Sequence, residues 1–312
     1  MTGKSFKVSK NQMYQRSSSR QTDPDQGDQY DIQPGQWAPR MSDRQFDFFR
    51  NLAKAHAGIT LPDYKRNMVY RRVSKRLVAL GIREFQPYQE LLSAPEGEAE
   101  IEFFVNALTT NKTEFFRENH HFEHLAAIAL PGLRKKREAE GNRKLRIWSA
   151  GCSSGQEPYS IAMTLMESLS DLARWDAKIL ATDIDTDILD QGRQGIYPAF
   201  AVYEIPTHLR QKYIDMQAHS ADDGRMNHGL RSLITFNQLN LHGQWPMQGK
   251  FDVIFCRNVI IYFDKPSQCL LFDRFANLLR DDGYLYIGHS ESLYKVTERF
   301  RSIGQSIYQR IA

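Results

Sequence analysis

From residue 145 onward the helical periodicity of the chain gives way to short β-rich runs separated by helical stretches. The run 145–149 is followed by a glycine-containing turn, by a helical pattern from about Pro158 to Leu172, and by a second β-rich run at 178–182. A strand, a helix and a strand in this order are typical of a βαβ unit with parallel, buried strands. We therefore predict an α/β fold with a doubly wound sheet.

Later runs supply further strand candidates. Residues 251–256 are a candidate for a third buried strand, a helical pattern follows at about 266–279, and the runs 283–288 and 302–310 are β-rich. The segment 196–235, between the second and third predicted strands, is ambiguous, and we interpret it as a small β-subdomain insertion.

Composition and periodicity divide the chain into three parts. Residues 1–40 are rich in Ser, Gln, Asp, Gly and Pro and poor in aliphatic residues, which predicts a disordered arm. Residues 41–125 carry helical periodicity without a strand pattern, which predicts a small all-helical domain. Residues 126–312 contain the predicted sheet.

One predicted helix carries the excess charge of the chain. It starts with a predicted cap at Asp63 and ends at Gly81. Residues 41–80 hold nine Lys or Arg against three Asp or Glu, a local +6 in a chain of formal charge +4. The cations of this helix are Lys65, Arg66, Arg71, Arg72, Lys75 and Arg76. Such a face steers acidic partners, although a solvated face explains the charge nearly as well.

Several classes of protein are disfavoured. No apolar run approaches the ~20 residues of a membrane-spanning helix, since even the run 251–263 is interrupted by Asp252 and Arg257. The first twenty residues lack the apolar core of a secretory signal, and three cysteines cannot all pair with one another. We expect a reducing, cytoplasmic location and no direct membrane insertion.

The turn after the first predicted strand has the features of a ligand site. Gly151-Cys-Ser-Ser-Gly155 allows close approach of the backbone to a ligand, and the next strand ends at Asp183, where a carboxylate reaches ribose hydroxyls. The turn is not G-x-G-x-x-G, and Glu157 and Pro158 disfavour a pyrophosphate. S-adenosylmethionine fits better, because it offers a ribose to Asp183 and an ammonium to Glu157.

Metal and hydrolase sites are disfavoured by their patterns. The run Asp183-x-Asp-x-Asp opens like a calcium loop, but Ile188 and Gln194 replace the required Gly and Glu. The histidines within 120–124 lack an H-E-x-x-H pattern, and we expect no metal. The run 288–292 resembles a nucleophile elbow but ends in Ser instead of Gly and has no clear acid and base partners.

Five short segments carry the most specific pattern. They are LTTNKTEFFRE (108–118), WSAGCSSGQEPYSIAM (148–163), ATDIDT (181–186), LNL (239–241) and FCRNVIIYF (255–263). In order and in residue type they resemble the chemotaxis receptor methyltransferases of the CheR type. The resemblance covers about residues 41–310 and includes Gly288-His-Ser-Glu291.

The resemblance implies a class I S-adenosylmethionine-dependent methyltransferase fold, with residues 126–312 as the cofactor-binding catalytic domain. It implies transfer of the methyl group to glutamate side chains in the cytoplasmic helical domain of methyl-accepting chemotaxis receptors, giving γ-glutamyl methyl esters and S-adenosylhomocysteine. We expect a monomer without a nucleic-acid partner.

The resemblance also implies functional residues. With Gly151 of the turn, the cofactor contacts are Asn111, Thr113, Arg117, Glu157, Asp183, Asn240, Leu241, Arg257 and Asn258. Arg117 and Tyr262 are the catalytic candidates, and the six cations of the basic helix are the candidates for binding the receptor.

The chemistry fits these residues. A glutamate carboxylate, with a reference pKa of ~4.3, is ionised at neutral pH and needs no strong general base to attack an activated methyl group. Arg117 and the Tyr262 hydroxyl would position the carboxylate and offset its desolvation by hydrogen bonds. If their segment is helical, Thr113 and Arg117 share a face because they are four residues apart.

Two other functions remain open at this stage. A base methyltransferase would use the basic helix on phosphates, but residues 258–262 lack the Pro-Pro typical of amino-group base methyltransferases. A binding module that senses S-adenosylmethionine without turnover would keep its output after loss of Arg117.

Overall fold

The computed structural model of the chain describes residues 40–216 and 222–311. The predicted disordered arm of residues 1–40 lies, except for its last residue, outside this described part. No described helix combines the length and the apolar character that a bilayer crossing requires.

The first helices pack around an apolar cluster of their own. They are α1 Asp43–Ala57, α2 Arg66–Leu80, α3 Phe85–Ser93 and α4 Glu98–Leu108. Their inward residues recur at helical spacing, so that Phe49 of α1 meets Phe85 and Phe104 at ring-centroid distances of 6.0 and 5.7 Å. The predicted helical domain is therefore confirmed as a fold unit with its own core.

The first two long helices start in different ways. Helix α1 starts with a capping box formed by Ser42 and Gln45, in which the Ser42 N–H donates to Gln45 Oε1 at 2.8 Å. The predicted cap at Asp63 is wrong, because Asp63–Lys65 forms a 3₁₀ turn and α2 begins at Arg66 without a side-chain cap. The Asp63 carboxylate instead accepts a hydrogen bond from Arg50 at 2.9 Å.

The segment after α4 belongs to the packing of the sheet. It contains α5 His120–His124, a π-helical turn Leu125–Ala129 and α6 Leu130–Ala139. The Phe122 ring stacks on Phe255 of the sheet with centroids 5.9 Å apart, whereas the helical cluster ends at Leu108. We therefore propose that the domain boundary lies near Thr109 instead of the predicted residue 125.

The remaining elements alternate between strands and helices. In chain order they are β1 Lys144–Ala150, α7 Gln156–Ser168, β2 Asp176–Asp183, α8 Thr186–Gln194, β3 Ile196–Pro198, α9 Ala199–Val202, α10 Thr207–Tyr213, β4 Ile214–Asp215, β5 Asp223–Met226, α11 His228–Leu233, β6 Ile234–Gln238, β7 Phe251–Cys256, α12 Lys265–Leu278, β8 Leu279–Ile287, β9 Phe300–Gly304 and β10 Ile307–Arg310.

The main sheet confirms the predicted doubly wound architecture. Among the described residues its strand order is β6-β2-β1-β7-β8-β10-β9, with β6 through β8 parallel and β10 and β9 antiparallel. Successive side chains of β1 enter different cores, since Ile147 packs in the cluster that contains α7 and Trp148 in the cluster that contains α12. Helices therefore cover both faces, as a mostly parallel sheet requires.

The ambiguous segment 196–235 contains both an insertion and a missed strand. Strands β3, β5 and β4 form a small antiparallel sheet in that order, which confirms a β insertion. Strand β6 pairs with β2 in the main sheet, with Ile179 opposite Ile234, and was not predicted as a strand of that sheet. Its parallel partner lies far away in sequence, so local periodicity gives little information about it.

Candidate functional site

A cleft that is open to solvent lies at the carboxyl ends of β1, β2 and β7. This is the edge at which open α/β sheets bind their ligands. All the predicted cofactor-binding and catalytic residues line it: Asn111, Thr113, Arg117, Gly151, Glu157, Asp183, Asn240, Leu241, Arg257, Asn258 and Tyr262. The fold thus brings together positions that are spread over 150 residues of sequence.

The turn after β1 folds back onto the end of β2. The N–H groups of Gly151 and Cys152 donate to the Thr182 carbonyl at 2.7 and 2.9 Å. Gly151 has a φ of 79°, and a Cβ atom there would lie 2.3 Å from Cγ2 of Val259. Glycine is therefore required at this position both by the left-handed backbone and by the close approach of the loop after β7.

Asp183 is held as a buried acceptor at the end of β2. Its Oδ2 accepts the Ser153 N–H at 2.8 Å and its Oδ1 accepts the Asp185 N–H at 3.1 Å. Burial raises the pKa of Asp183, while these backbone donors oppose the rise. Each carboxylate oxygen keeps a further lone pair. The side chain therefore fits the two adjacent hydroxyls of a ribose.

Glu157 and Arg257 form a buried ion pair in the cleft. Arg257 Nη1 lies 3.1 Å from Glu157 Oε2, and the Ser149 hydroxyl donates to Glu157 Oε1 at 2.7 Å. Burial raises the pKa of Glu157, and the Arg257 charge opposes this rise. An ammonium group beside Glu157 would share the carboxylate with Arg257, a partner that sequence reasoning did not assign to it.

The segment that carries Arg117 is a loop and not a helix. Residues 109–119 are not helical, and both Phe116 and Glu118 have positive φ values, of 54° and 55°. The condition under which Thr113 and Arg117 would share a helix face is therefore not met. Both residues nevertheless line the cleft, because the loop runs across it.

Asp185, which the sequence analysis discussed only as part of a calcium-like run, organises this loop. Its Oδ2 accepts hydrogen bonds from the Asn111 amide at 2.8 Å and the Thr109 hydroxyl at 2.9 Å. Its Oδ1 accepts the N–H groups of Asp187 and Ile188 and so caps α8. The Asn111 side chain thus ties its own loop to the sheet domain.

The helical domain closes one side of the cleft. Ala57 and Ile59 line it, and the Thr60 N–H donates to the Tyr262 carbonyl at 2.8 Å. The Asn240 amide donates to the His56 carbonyl. Sequence reasoning missed Ala57 and Ile59, because nothing in a helical pattern indicates which helix end meets a distant sheet edge.

The sequence analysis also missed other residues that line the cleft. Lys112 and Glu114 flank Thr113, and Val259 follows Asn258. All three residues lie within segments that the sequence analysis singled out, so their positions were a usable signal.

Two of the six cations predicted to bind the receptor are engaged inside the helical domain. Arg72 donates to the backbone carbonyls of Leu108 and Thr109, each at 2.7 Å. Arg76 forms a two-pronged ion pair with the buried Glu100 at 2.7 and 2.6 Å. These contacts hold α2 against α4. The two guanidinium groups therefore have a structural role, which the charge pattern did not reveal.

The other four predicted cations, of which Lys65 lies in the 3₁₀ turn before α2, are nearer the surface. Arg66 pairs with Asp43 at 2.6 Å, and Lys65 lies 5.7 Å from the Tyr64 ring centre. Arg71 and Lys75 are exposed and make no ion pair within residues 40–216 and 222–311. Among the residues that the structure describes, none of the six cations lines the cleft.

Glu118, His120 and His121 place potential metal-ligand atoms within 4.8 Å of one another. The Glu118 carboxylate, however, accepts a hydrogen bond from the exposed His289 at 2.7 Å and lies 3.4 Å from Arg257 Nη2. A neighbouring guanidinium charge disfavours a divalent cation. The absence of a metal stays a prediction.

Comparisons with known proteins agree with this geometry. Residues 111–309 match the family model described as CheR methyltransferase, SAM binding domain, and residues 44–109 match CheR methyltransferase, all-alpha domain. The chain is 46% identical over 255 residues to the "Probable chemotaxis protein methyltransferase" of Rhizobium etli, covering 81% of this chain and 94% of the relative.

Other relatives have similar names. Chemotaxis protein methyltransferase 2 of Pseudomonas aeruginosa is 44% identical, covering 80% of this chain and 87% of its own length. Chemotaxis protein methyltransferase of Escherichia coli is 42% identical, covering 86% and 91%.

Proposed function

The chain belongs to the CheR methyltransferase family, and we propose that it methylates glutamate side chains of chemotaxis receptors at the cleft described above. It is an S-adenosylmethionine-dependent methyltransferase of the chemotaxis type. The products are γ-glutamyl methyl esters and S-adenosylhomocysteine. The observation that carries the proposal is the meeting of all the predicted cofactor and catalytic residues in one cleft.

The residues of the cleft fit S-adenosylmethionine. Asp183 at the end of β2 would accept hydrogen bonds from the ribose hydroxyls, and Glu157 would face the ammonium of the methionine part. Because residue 151 is glycine, no side chain stands between this turn and Val259 in the loop after β7. The N–H groups of Gly151, Cys152 and Ser153 already donate to Thr182 and Asp183, so these amides of the turn are not free to bind a pyrophosphate.

When bound, S-adenosylmethionine supplies a methyl group on a sulfonium sulfur, which keeps the electron pair of the broken carbon–sulfur bond. The chain then has to align the acceptor carboxylate with that bond and to offset its loss of hydration. Arg117 and Tyr262 both line the cleft and both carry hydrogen-bond donors. We assign the holding of the carboxylate to these two side chains.

The acceptor carboxylate needs no proton removed. Its reference pKa of ~4.3 leaves it ionised at neutral pH. A strong base in the cleft is therefore unnecessary, and the buried Glu157 serves binding because its carboxylate is already paired with Arg257. Catalysis rests on alignment and on hydrogen bonds to the acceptor.

The exposed face of α2 is the proposed docking surface for the receptor. Arg71 and Lys75 are the exposed cations of this helix, and they are one helical turn apart on the same face. Receptor helices that carry methylatable glutamates are anionic, so the two charges would favour their approach. We further propose that the protein acts on the cytoplasmic helical domain of the receptor, as a monomer in the cytoplasm.

Transfer of a labelled methyl group tests this proposal. The protein is incubated with methyl-labelled S-adenosylmethionine and a purified receptor signalling domain, and the labelled receptor is treated with mild base. Release of the label as methanol is the expected result, because carboxyl esters are base-labile. Label that survives mild base, or cofactor binding without receptor labelling, would overturn the proposed acceptor.

A further inference from the structure

Glu291 is a buried carboxylate, 7% exposed, that accepts hydrogen bonds only from backbone N–H groups in the described part of the chain. Its Oε2 accepts from Gly288 at 2.6 Å and Asn258 at 3.0 Å. Its Oε1 accepts from Ile260 at 2.8 Å and Ile261 at 3.3 Å. Within the described residues it makes no ion pair, so these donors stabilise its charge.

These hydrogen bonds join the loops that follow two neighbouring strands of the sheet. Asn258 and Ile260 lie after β7, whereas Gly288 lies directly after β8. The loops touch so closely that a Cβ atom at Gly288 would lie 2.9 Å from the Asn258 backbone nitrogen. Asn258 itself has a φ of 59°, a conformation that surrounding contacts must hold in place.

The loop after β7 carries part of the cleft. Asn258, Val259 and Tyr262 line the cleft, whereas Glu291 does not appear in its lining. The carboxylate fixes the backbone N–H groups of three of the five residues from 258 to 262. Its effect on the reaction would therefore pass through the loop and not through contact with a substrate.

We propose that Glu291 is a positioning residue for methyl transfer, which sets the backbone of residues 258–262 and so places Tyr262 against the acceptor. The inference rests on the proposed function for the role of Tyr262. It goes beyond that function because it gives a role in the geometry of the reaction to a buried carboxylate that does not line the cleft.

Glu291→Gln tests the proposal. Whichever way the amide is oriented, its NH₂ group faces backbone N–H donors that need an acceptor. We expect kcat to fall by roughly tenfold to a hundredfold, in line with the cost of a small misplacement, and KM for S-adenosylmethionine to rise by a smaller factor, because Asn258 of the same loop is a predicted cofactor contact. Glu291→Asp, which keeps the charge, should recover part of kcat.

A double variant separates positioning from general stability. Tyr262→Phe lowers kcat in the wild-type background, but should lower it by less than about twofold in Glu291→Gln, because the hydroxyl is already misplaced. The control is Asp252→Asn, a fully buried carboxylate near the start of β7 that accepts the N–H of Arg146 on the neighbouring strand β1 and pairs with Arg137. It should lower Tm while leaving kcat unchanged at temperatures well below unfolding.

Hydrogen exchange gives a readout that does not depend on activity. The amides of residues 258–261 and Gly288 should exchange faster in Glu291→Gln, while those of β1 keep their protection. Normal kcat with a lowered Tm, fully additive effects with Tyr262→Phe, or unchanged exchange would each overturn the proposal. Should Glu291→Gln not fold, Glu291→Asp takes its place in all three measurements. Lack of receptor methylation by the wild type would instead overturn the proposed function.

Discussion

At the scale of single residues, the guanidinium groups of Arg117 and Arg257 in the cleft have different roles. Arg257 is buried and bound by Glu157 and by the Arg117 carbonyl. Arg117 is half-buried, and its guanidinium donates a hydrogen bond to the Lys112 carbonyl at 3.2 Å. A guanidinium has five N–H donors, so Arg117 retains several for a ligand. Arg117 is therefore the better candidate for holding the acceptor.

Arg117→Ala should lower kcat/KM for the receptor by roughly a hundredfold or more, the cost of losing a donor aimed at the reacting group. The dissociation constant of S-adenosylhomocysteine, measured by calorimetry, should change by less than about tenfold. Arg301→Ala, which removes an exposed cation on β9, is the control and should leave both values unchanged. Equal losses in transfer and in cofactor binding would contradict an acceptor-holding role.

His121 predicts a pH dependence of stability. Burial, followed by the Arg257 charge, lowers the pKa of His121 from the usual value to about 4. Below pH ~6.5 the unfolded chain binds a proton that the folded chain does not, so stability is lost as the pH falls toward 4. One such site changes the unfolding free energy by at most about 1.4 kcal/mol per pH unit.

The drop in Tm between pH 7 and pH 5 should be smaller in His121→Gln than in the wild type. Glutamine does not titrate, and its amide can replace the hydrogen bond from His121 Nε2 to the Gln305 carbonyl. An equal drop in the two proteins would show that His121 does not carry this proton linkage.

At the scale of elements, the sequence analysis predicted those elements that depend on interactions between residues close together in sequence. The unit β1, turn, α7 and β2 was predicted because apolar spacing and a glycine turn define it within 40 residues. Strand β6 was missed because its pairing with β2 is distant in sequence. The helix considered for residues 109–119 does not form. This segment is a loop that is hydrogen-bonded to Asp185, about 75 residues further along the chain.

The same distinction applies to the residues of the site. The order of the five motifs identified residues that line the cleft, because these residues lie at strand ends or in loops. The structural partners of Arg72 and Arg76 were not predictable, because they depend on how α2 packs against α4. Charge patterning recognises a basic helix without showing which charges are already paired.

Charge reversal on α2 tests the docking surface. Arg71→Glu combined with Lys75→Glu should raise KM for the receptor by roughly tenfold at low salt, and the difference should shrink as salt screens the charges. Lys135→Glu combined with Lys144→Glu is the control, since both lysines are exposed. Lys144 is the first residue of β1, at the end of the strand opposite to the cleft. An unchanged KM for the receptor in the α2 variant would contradict docking on this face.

At the scale of the whole molecule, the helical and sheet domains share the cleft. Lys54 of α1 pairs with Asp264 at 2.8 Å, and Thr60 donates to the Tyr262 carbonyl. The hydrogen bond to Asp264 from Lys54 also contributes to lowering the pKa of that carboxyl. The loop after α1 thus meets the loop that carries Tyr262, and the geometry of the cleft depends on both domains.

Gly58→Ala tests this dependence, with Gly81→Ala as its matched control. Both glycines end helices with left-handed φ values, of 70° and 68°. An added Cβ would lie 2.8 Å from Phe263 at position 58 but meets nothing within 4 Å at position 81. Each variant should lose about 1 to 2 kcal/mol from backbone strain. Only Gly58→Ala should also lower kcat/KM, and equal kinetics in the two variants would contradict a shared cleft.

The central claim is that this cleft transfers a methyl group from S-adenosylmethionine to receptor glutamates. Tandem mass spectrometry of a receptor signalling domain, after reaction with trideuteromethyl S-adenosylmethionine, tests it most directly. We predict the label on glutamate side chains, with its loss when Arg117→Ala replaces the wild type. Label on any other residue type, or equal glutamate labelling by Arg117→Ala, would contradict the claim.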